Sequence, residues 1–251
     1  MTGDRPVAVV TGAARRVGRA TCLALARAGC DIVLTHLTSA AEARSLVAEL
    51  RARNVDAQTR QLDLDDLAAV DRFGAALAGE LPRVDALVHN ASAYGATPLA
   101  ELQPDEAMRH YRVNAAAPLL LTRALADRLS DSPLPGGGAV VAMCDIHAMG
   151  RPRKRQAAYL MSKAALAEMV RSLAREMAPR VRVNGVAPGV VAFAEQGEDA
   201  DPEMQRRYLS RVPLGRSGTP EDAAEAVRWL ALDAHYTTGE IVRVDGGRWL
   251  A

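Results

Sequence analysis

Short apolar segments alternate with helical patterns along the whole chain, and this alternation is the strongest constraint on its fold. The apolar segments lie at 6–10, 31–35, 57–62, 84–89, 138–144, 181–186 and 240–244. The helical patterns lie between them, at 17–28, 39–54, 65–80, 104–129, 157–177 and 220–232. Strands that are apolar on both faces and separated by helices form a parallel sheet covered on both sides. The sequence therefore predicts an α/β fold, a Rossmann-like doubly wound parallel sheet of about seven strands with helices on both faces.

One irregular region interrupts this pattern, at residues 190–219. It is rich in acidic residues and contains a further predicted helix at 202–211. A long insertion late in such a fold commonly lies over the site. We therefore predict a single domain, residues 1–251, in which the 190–219 insertion covers the substrate.

Composition excludes several classes of function. The formal net charge is +1 and aromatic residues make up 4% of the chain, which argues against a nucleic-acid partner. The basic run at 151–155 is accordingly interpreted as a solvated loop. No apolar run approaches the length of a membrane span and no signal-peptide pattern is present, so we expect no membrane partner. The three cysteines and five histidines show no metal spacing, which predicts reduced thiols, a cytoplasmic protein and no metal.

A glycine turn, residues 11–18 (TGAARRVG), joins the first predicted strand to the first predicted helix. This is the position at which a Rossmann fold binds a pyrophosphate, because glycine permits close backbone approach and the helix N-terminus attracts an anion. We expect Gly12, Arg15, Arg16 and Val17 to bind a dinucleotide. Arg16 stands where such a turn usually has a third glycine, and it would add positive charge beside the phosphates.

The second predicted strand ends without an acidic residue, at Thr35-His36. An acid there would bind the ribose hydroxyls of NAD and repel a 2′-phosphate. Its absence, with Arg15 nearby and the hydroxyls of Thr38 and Ser39, predicts that the cofactor is NADPH.

Tyr159 and Lys163 are four residues apart and therefore share one face of a predicted helix. A neighbouring ammonium would lower the pKa of the phenol, and such a phenol can deliver a proton. The alternative, on spacing alone, is an incidental pair on a surface helix.

These motifs occur in one order along the chain. They are Thr11-Gly12, Asn90-Ala91, Asn114, Tyr159-x-x-x-Lys163, Pro188-Gly189 and Val244-Asp245-Gly246-Gly247. In this order the chain resembles the short-chain dehydrogenase/reductase family over essentially its whole length. The resemblance implies a homotetramer.

The resemblance also implies site residues. Tyr159 would be the proton donor, Lys163 would lower its pKa and hold the nicotinamide ribose, and Asn114 would anchor a relay water. The remaining cofactor contacts would come from Asp63, Leu64, Asn90, Ala91, Ser92, Pro188, Gly189 and Val190.

Asp145 departs from the family pattern, because a serine usually stands at the end of the fifth strand and polarises a ketone. A carboxylate would repel a developing alkoxide but suits a substrate with ring nitrogens. The alternative is that Asp145 only caps or pairs locally.

An aspartate there, with Arg16 in the glycine turn, resembles the pteridine reductase branch and the bacterial dihydromonapterin reductases. The resemblance implies that Tyr94 stacks on a pterin, that Arg16 contacts pterin and phosphate, and that Ser92 bonds pterin or cofactor. Thr38 stands where pteridine reductases have an arginine.

The sequence therefore predicts an NADPH-dependent reductase that converts a dihydropterin, of dihydrobiopterin or dihydromonapterin type, to the tetrahydro form. Catalysis would use Asp145, Tyr159, Lys163 and Asn114, and the substrate would contact Arg16, Ser92, Tyr94, Asp145 and Tyr159. The first alternative is a family member that reduces a ketone such as a 3-oxoacyl thioester. The second is a non-catalytic NADPH-binding sensor.

Overall fold

The predicted strands form one parallel sheet in the computed structural model, which describes residues 1, 5–191, 193 and 201–251. Its order is β3-β2-β1-β4-β5-β6-β7. The strands are β1 (Val7–Val10), β2 (Asp31–His36), β3 (Ala57–Gln61), β4 (Ala86–His89), β5 (Gly138–Met143), β6 (Val181–Pro188) and β7 (Ile241–Val244). The predicted single-domain, Rossmann-like fold is confirmed.

Helices cover both faces of the sheet. They are α1 (Arg16–Arg27), α2 (Ala40–Arg51), α3 (Leu67–Glu80), α4 (Pro104–Tyr111), α5 (Ala117–Ser130), α6 (Ala157–Glu176), α7 (Pro202–Leu209) and α8 (Pro220–Leu232). One apolar core packs α1, α2 and α8 against one face of the sheet, and another packs α3, α5 and α6 against the other. This two-sided burial explains why the strand segments are apolar throughout.

The predicted helix over 104–129 is wrong in one respect, because a single π-helical turn at Arg112–Ala116 separates α4 from α5. Pro118 lies in the first turn of α5. It has no backbone N–H to donate to the carbonyl four residues earlier, which belongs to Asn114. The hydrogen-bond ladder of the helix is therefore broken at Asn114, to which the family resemblance assigns a role in catalysis. Single π-helical turns of this kind are frequent at functional sites.

The start of α2 also differs from its prediction. Ser39 precedes the helix, but its side chain makes no capping hydrogen bond. Glu42, the other half of the expected capping box, pairs instead with Arg15 of the glycine turn. The reciprocal box occurs at the start of α8, between Thr219 and Asp222.

The strand order brings the predicted site together. The chain winds outwards from β1 through β2 to β3, then returns to β4 on the other side of β1, so the sheet has a switch point between β1 and β4. Ligands of open α/β sheets bind at the carboxyl ends of the strands beside such a point. The segments that follow β1, β4, β5 and β6 meet there.

The predicted 190–219 insertion is described only in part, since residues 192 and 194–200 lie outside the described residues. Its predicted helix appears as α7, whose N-cap Asp201 accepts a hydrogen bond from the backbone of Glu203. Among the described residues, no helix has the length and apolarity needed to cross a bilayer.

Candidate active site

The glycine turn is shaped by its close packing against the end of β4. Gly12 has φ +62°, and a Cβ there would lie 2.7 Å from Cβ of Ala91. A Cβ on Gly18 would lie 2.5 Å from Nδ2 of Asn90. Asn90 in turn donates to the carbonyl oxygens of Thr11 at 3.0 Å and Gly12 at 2.9 Å. The turn therefore needs both glycines, and it leaves a cradle at the N-terminus of α1 that suits a pyrophosphate.

Arg16 occupies the left-handed region with φ +50°, where L-residues are uncommon. The conformation explains why dinucleotide turns usually have glycine at this place. The side chain is exposed and lines the cradle. A cation is thus held beside the predicted phosphate position at some cost in backbone strain.

A groove of about 530 Å³ runs from this turn across the carboxyl ends of the strands. Most of the predicted cofactor and catalytic residues line it. They are Gly12, Arg15, Arg16, Val17, Asp63, Leu64, Asn90, Ala91, Ser92, Tyr94, Asp145, Tyr159, Lys163, Pro188 and Gly189. Its course from the glycine cradle to the residues that follow β4, β5 and β6 fits an extended dinucleotide.

Four predicted residues do not line this groove: Thr38, Ser39, Asn114 and Val190. At the end of β2 the lining comes instead from Thr35, His36 and Leu37, because the chain then turns away to begin α2. The predicted contacts of the Thr38 and Ser39 hydroxyls with the cofactor stay a prediction. Arg15 remains at this end of the groove, paired with Glu42.

Asp145 and Tyr159 form the centre of the site. The Tyr159 hydroxyl donates to Oδ2 of Asp145 at 2.8 Å, while Oδ1 of Asp145 accepts the backbone N–H of His147 at 2.7 Å. Asp145 therefore caps the short helical turn Ile146–Met149, as one alternative proposed, and contacts the tyrosine as well. The cap fixes the carboxylate so that its second oxygen faces the phenol.

The expected lowering of the Tyr159 pKa is wrong in this structure. Burial, and after it the Asp145 carboxylate, raise the pKa of Tyr159 above its ordinary value. Lys163 lies with its Nζ 6.0 Å from the tyrosine ring and donates to the carbonyl oxygen of Met143 at 2.7 Å. Burial also lowers the pKa of Lys163. The phenol is therefore held protonated, and the lysine is anchored to β5.

Asn114 holds the loop after β4 against α6. Its Oδ1 accepts from the backbone N–H of Ala93 at 2.8 Å and from the Ser92 hydroxyl at 3.1 Å. Its Nδ2 donates to the Ala93 carbonyl and to the Ser162 hydroxyl, both at 2.9 Å. These four hydrogen bonds use both N–H donors and the oxygen of the Asn114 side chain, which therefore positions the loop after β4. The relay water expected at Asn114 stays a prediction.

A second cavity, of about 700 Å³, adjoins the groove. The two share Arg16, Tyr94, Asp145, Pro188 and Gly189. The Tyr94 ring stands edge-to-face against Tyr159, with centroids 4.9 Å apart, and its hydroxyl accepts from Gln156 at 2.8 Å. Val190 lines this second cavity, and its N–H donates to the Tyr208 hydroxyl at 3.2 Å. Asp145 thus lies where the two spaces meet, and Tyr159 is hydrogen-bonded to it from the groove.

Three residues at or beside this cavity were not predicted from the sequence: His147 and Tyr208, which line it, and Gln156, which contacts Tyr94. The ring of His147 contacts the Arg151 carbonyl at 2.9 Å, and burial lowers its pKa. Gln156 orients Tyr94, and Tyr208 holds the end of α7 against the segment after β6. Neither a motif nor a spacing marks these residues, because they come from separate loops.

The cysteines and histidines show no sign of metal chemistry in the described part of the chain. Cys22, Cys30 and Cys144 are buried free thiols, and burial raises the pKa of Cys144 to about 11. Across residues 1, 5–191, 193 and 201–251, the side chains form no group of three or more potential metal ligands.

Comparisons with known proteins agree with this architecture. A family model described as enoyl-(acyl carrier protein) reductase matches residues 12–248. A 3-oxoacyl-(acyl-carrier-protein) reductase of Synechocystis sp. is 33% identical over 245 residues, with 96% of each chain covered. An L-rhamnose 1-dehydrogenase (NAD(P)(+)) of Azotobacter vinelandii is 34% identical over 245 residues, with 95% of this chain and 94% of that protein covered. A blue fluorescent protein from a metagenomic library, solved in complex with NADPH, superposes with a TM-score of 0.88 at 33% identity and 97% coverage of both chains.

Proposed function

Because the chain belongs to the short-chain dehydrogenase/reductase family and is an NADPH-dependent oxidoreductase, we propose that it reduces a dihydropterin to the tetrahydro form. The substrate would be of dihydrobiopterin or dihydromonapterin type. One observation carries the proposal: the hydrogen bond of 2.8 Å from Tyr159 to Asp145, at the junction of the two cavities. The sensor alternative is not supported, since the family relatives are oxidoreductases.

NADPH supplies the hydride when bound, and this chain supplies the shape that orients it. The turn around Gly12 and Gly18 would hold the pyrophosphate, and Asp63 with Leu64 would hold the adenine. Pro188 and Gly189, which line both cavities, would lie beside the nicotinamide.

Proton delivery would fall to Tyr159. Its raised pKa keeps the hydroxyl protonated through the neutral range, as a reductase needs before it protonates a reacting atom. The raised pKa also makes the hydroxyl a weaker acid, so it would give up its proton only as hydride transfer makes the acceptor atom basic.

Asp145 would select the substrate. A carboxylate accepts hydrogen bonds from the N–H edge of a nitrogen heterocycle, whereas it repels the negative charge that grows on a ketone oxygen. With Asp145 accepting from a ring N–H, the Tyr159 hydroxyl would give its proton to the imine nitrogen of the ring, which carries no hydrogen, as the carbon of that same C=N bond accepts the hydride.

Tyr94 and Arg16 would hold the flat ring. Tyr94 is 52% exposed towards the shared mouth of the cavities and presents an aromatic surface for stacking. Arg16 lines both spaces and would contact pterin and cofactor phosphate together, and Ser92 lines the groove beside them. Lys163 and Asn114 are the proposed supporting residues, for the nicotinamide ribose and for the loop that carries Ser92.

A second candidate function is reduction of a 3-oxoacyl thioester. The family description and the Synechocystis relative favour it, and none of the relatives named above is a pteridine reductase. The carboxylate of Asp145 disfavours it, because the family resemblance implies a neutral serine hydroxyl at this position for reduction of a ketone. The relatives thus favour the acyl substrate, and the site favours the pterin.

The deciding experiment is an NADPH-consumption assay with dihydrobiopterin, dihydromonapterin, dihydrofolate and a 3-oxoacyl thioester. We expect turnover with the pterins and little with the thioester. Turnover of the thioester alone would show that the second candidate is right.

We also propose that the protein acts in the cytoplasm as a homotetramer that packs through α4, α5 and α6. Large apolar side chains on these helices are exposed in the single chain: Met108, Tyr111, Leu119 and Met161. Mass photometry of the wild-type protein and of Met161→Glu tests this, and a monomeric wild-type protein would contradict it.

A further inference from the structure

The cavity that adjoins the cofactor groove is strongly basic. Six arginines line it, against a single carboxylate, that of Asp145, among the described lining residues. The arginines are Arg16, Arg151, Arg153, Arg207, Arg211 and Arg248. The whole chain carries a net charge of only +1, so the positive charge around this cavity is a local feature of the surface.

Five of these six arginines lie outside the lining of the cofactor groove. Arg16 alone among them also lines the groove, so the other five face the second cavity only. We call those five, Arg151, Arg153, Arg207, Arg211 and Arg248, the arginine collar.

The C-terminal turn positions part of the arginine collar. Arg151 and Arg248 both donate to the carbonyl oxygen of Ala251, and Arg248 does so at 3.0 Å. Arg151 also lies over the Trp249 ring, 5.8 Å from its centroid. Nε of Arg248 is buried and has no hydrogen-bond partner within the described residues. A buried guanidinium N–H without an acceptor is costly, and an anionic ligand would satisfy it.

The end of α7 supplies two further cations from the other side. Arg207 lies 3.9 Å from Glu203, a long contact between two exposed side chains, and Arg211 has no acidic partner in the described part of the chain. The Tyr208 hydroxyl, which accepts the N–H of Val190, holds this end of α7 beside the reaction centre. Tyr208 also contacts Arg248, whose guanidinium lies 5.3 Å from its ring centroid. The arginine collar thus faces the centre from three segments: the loop before α6, the end of α7 and the C-terminal turn.

We propose that the substrate of this site carries an anionic tail, phosphate or carboxylate, that the arginine collar binds while the ring lies against Asp145 and Tyr159. The inference rests on the proposed function for the identity of the ring. Guanidinium groups suit both anions, because their planar forks bind phosphate and carboxylate in two-point contacts. The preferred substrate would be a phosphorylated dihydropterin or a dihydrofolate with glutamyl carboxylates.

Paired substrates test the tail. NADPH consumption is measured with 7,8-dihydroneopterin and its triphosphate, and with dihydrofolate carrying one or several glutamyl residues. We expect kcat/KM to be about tenfold higher for the more anionic member of one pair. One additional charge-assisted hydrogen bond would give a difference of this size. The pair that shows the preference identifies phosphate or carboxylate as the source.

A charge-reversal variant links that preference to the arginine collar. In Arg207→Glu/Arg211→Glu the preference should fall about tenfold, with circular dichroism confirming the fold, since both side chains are exposed. Arg206→Glu is the matched control, because Arg206 lies in the same helix and does not line the cavity. Equal rates within both wild-type pairs, or a preference that survives in the double variant, would overturn the inference and leave the proposed function intact.

A binding measurement covers the case in which no pterin is turned over and the proposed function fails. Tripolyphosphate is titrated calorimetrically into NADPH-saturated protein, so that the cofactor site is filled. We expect binding to the wild type and to Arg206→Glu, and affinity at least tenfold weaker in the double variant. Absence of binding to the wild type, or equal binding to all three proteins, would overturn the inference.

Discussion

The hydroxyl of Tyr159 and the carboxylate of Asp145 share a hydrogen bond of 2.8 Å, and each sets the chemistry of the other. Burial of the phenol, together with the carboxylate, raises the pKa of Tyr159 and keeps it protonated, and the phenol in turn fixes one carboxylate oxygen. Replacing Tyr159 with Phe removes the proton donor while keeping the ring that packs in the core. We expect kcat for reduction of the substrate to fall by roughly a hundredfold or more. Steady-state kinetics measure it, and NADPH fluorescence titration provides the control, because the cradle around Gly12 is untouched.

Asp145→Ser tests the choice of substrate. Serine removes the negative charge and restores the group that the family resemblance expects for ketones. We predict a loss of about a hundredfold in kcat/KM for the dihydropterin and a gain for the 3-oxoacyl thioester. Asp145→Asn keeps the shape of the side chain without its charge. It should lose turnover of the pterin and gain no turnover of the thioester. Unchanged pterin kinetics in both variants would remove Asp145 from the mechanism.

The Arg16 backbone gives a prediction about stability. Its φ of +50° is strained for arginine, whereas Arg15 has an extended backbone with φ −140°. Arg16→Gly should therefore leave the free energy of unfolding equal to the wild-type value or higher, since the relieved strain of about 1 kcal/mol offsets the added chain entropy. Arg15→Gly, the control, should lose about 0.5–1 kcal/mol. Urea denaturation measures both, and equal losses would contradict the strain argument.

Glu42 restrains Arg15 at the edge of the cofactor groove. In Glu42→Gln the ion pair is lost and Arg15 is available to a 2′-phosphate. We expect the KM for NADPH to fall by a few-fold, with the KM for NADH nearly unchanged. Both pair members are exposed, so the effect should weaken with added salt. A parallel change for both cofactors would show that Arg15 does not contact the 2′-phosphate.

His89 makes the fold sensitive to acid. Burial lowers the pKa of His89 to about 3, and its Nε2 contacts the Thr122 hydroxyl at 2.8 Å. The unfolded chain binds this proton near pH 6.5 and the folded chain near pH 3, so the unfolded state holds more protons between these values. Stability should therefore fall as pH decreases through that window, by up to about 1.4 kcal/mol per pH unit.

The variant His89→Gln isolates this effect. It removes the titrating group while keeping a polar side chain that can reach Thr122. Urea denaturation at pH 7 and at pH 5 should show a smaller difference for the variant than for the wild type. Equal differences would assign the acid sensitivity to other groups.

Local patterns predicted the elements of the fold well, and their failures have local causes. The helix over 104–129 was expected to be continuous, but Pro118 removes one hydrogen bond and a π turn forms at Asn114. The capping box at Ser39 was expected from spacing, but Glu42 finds a stronger partner in Arg15. In each case a residue outside the short pattern determines the outcome.

The catalytic pair shows a different limit. Spacing places Tyr159 and Lys163 on one face of a helix, and it predicts a lowered phenol pKa. In the structure, burial of Tyr159 and the nearby Asp145 carboxylate raise the pKa of the phenol. Lys163 does not offset this, because its ammonium donates to the carbonyl oxygen of Met143. Burial and the charge of a group fourteen residues away depend on how α6 packs on the sheet.

The sequence by itself determined the parallel sheet, the glycine turn and the family, because apolar runs, glycine and ordered motifs are properties of neighbouring residues. Only the tertiary structure decided how Asp145 meets Tyr159, why Arg16 needs a left-handed backbone, and that arginines from positions 151 to 248 surround one cavity. Those relationships join segments that are distant in the chain. Electrostatic energies depend on distance and burial, which exist only once the sheet and its helices have packed.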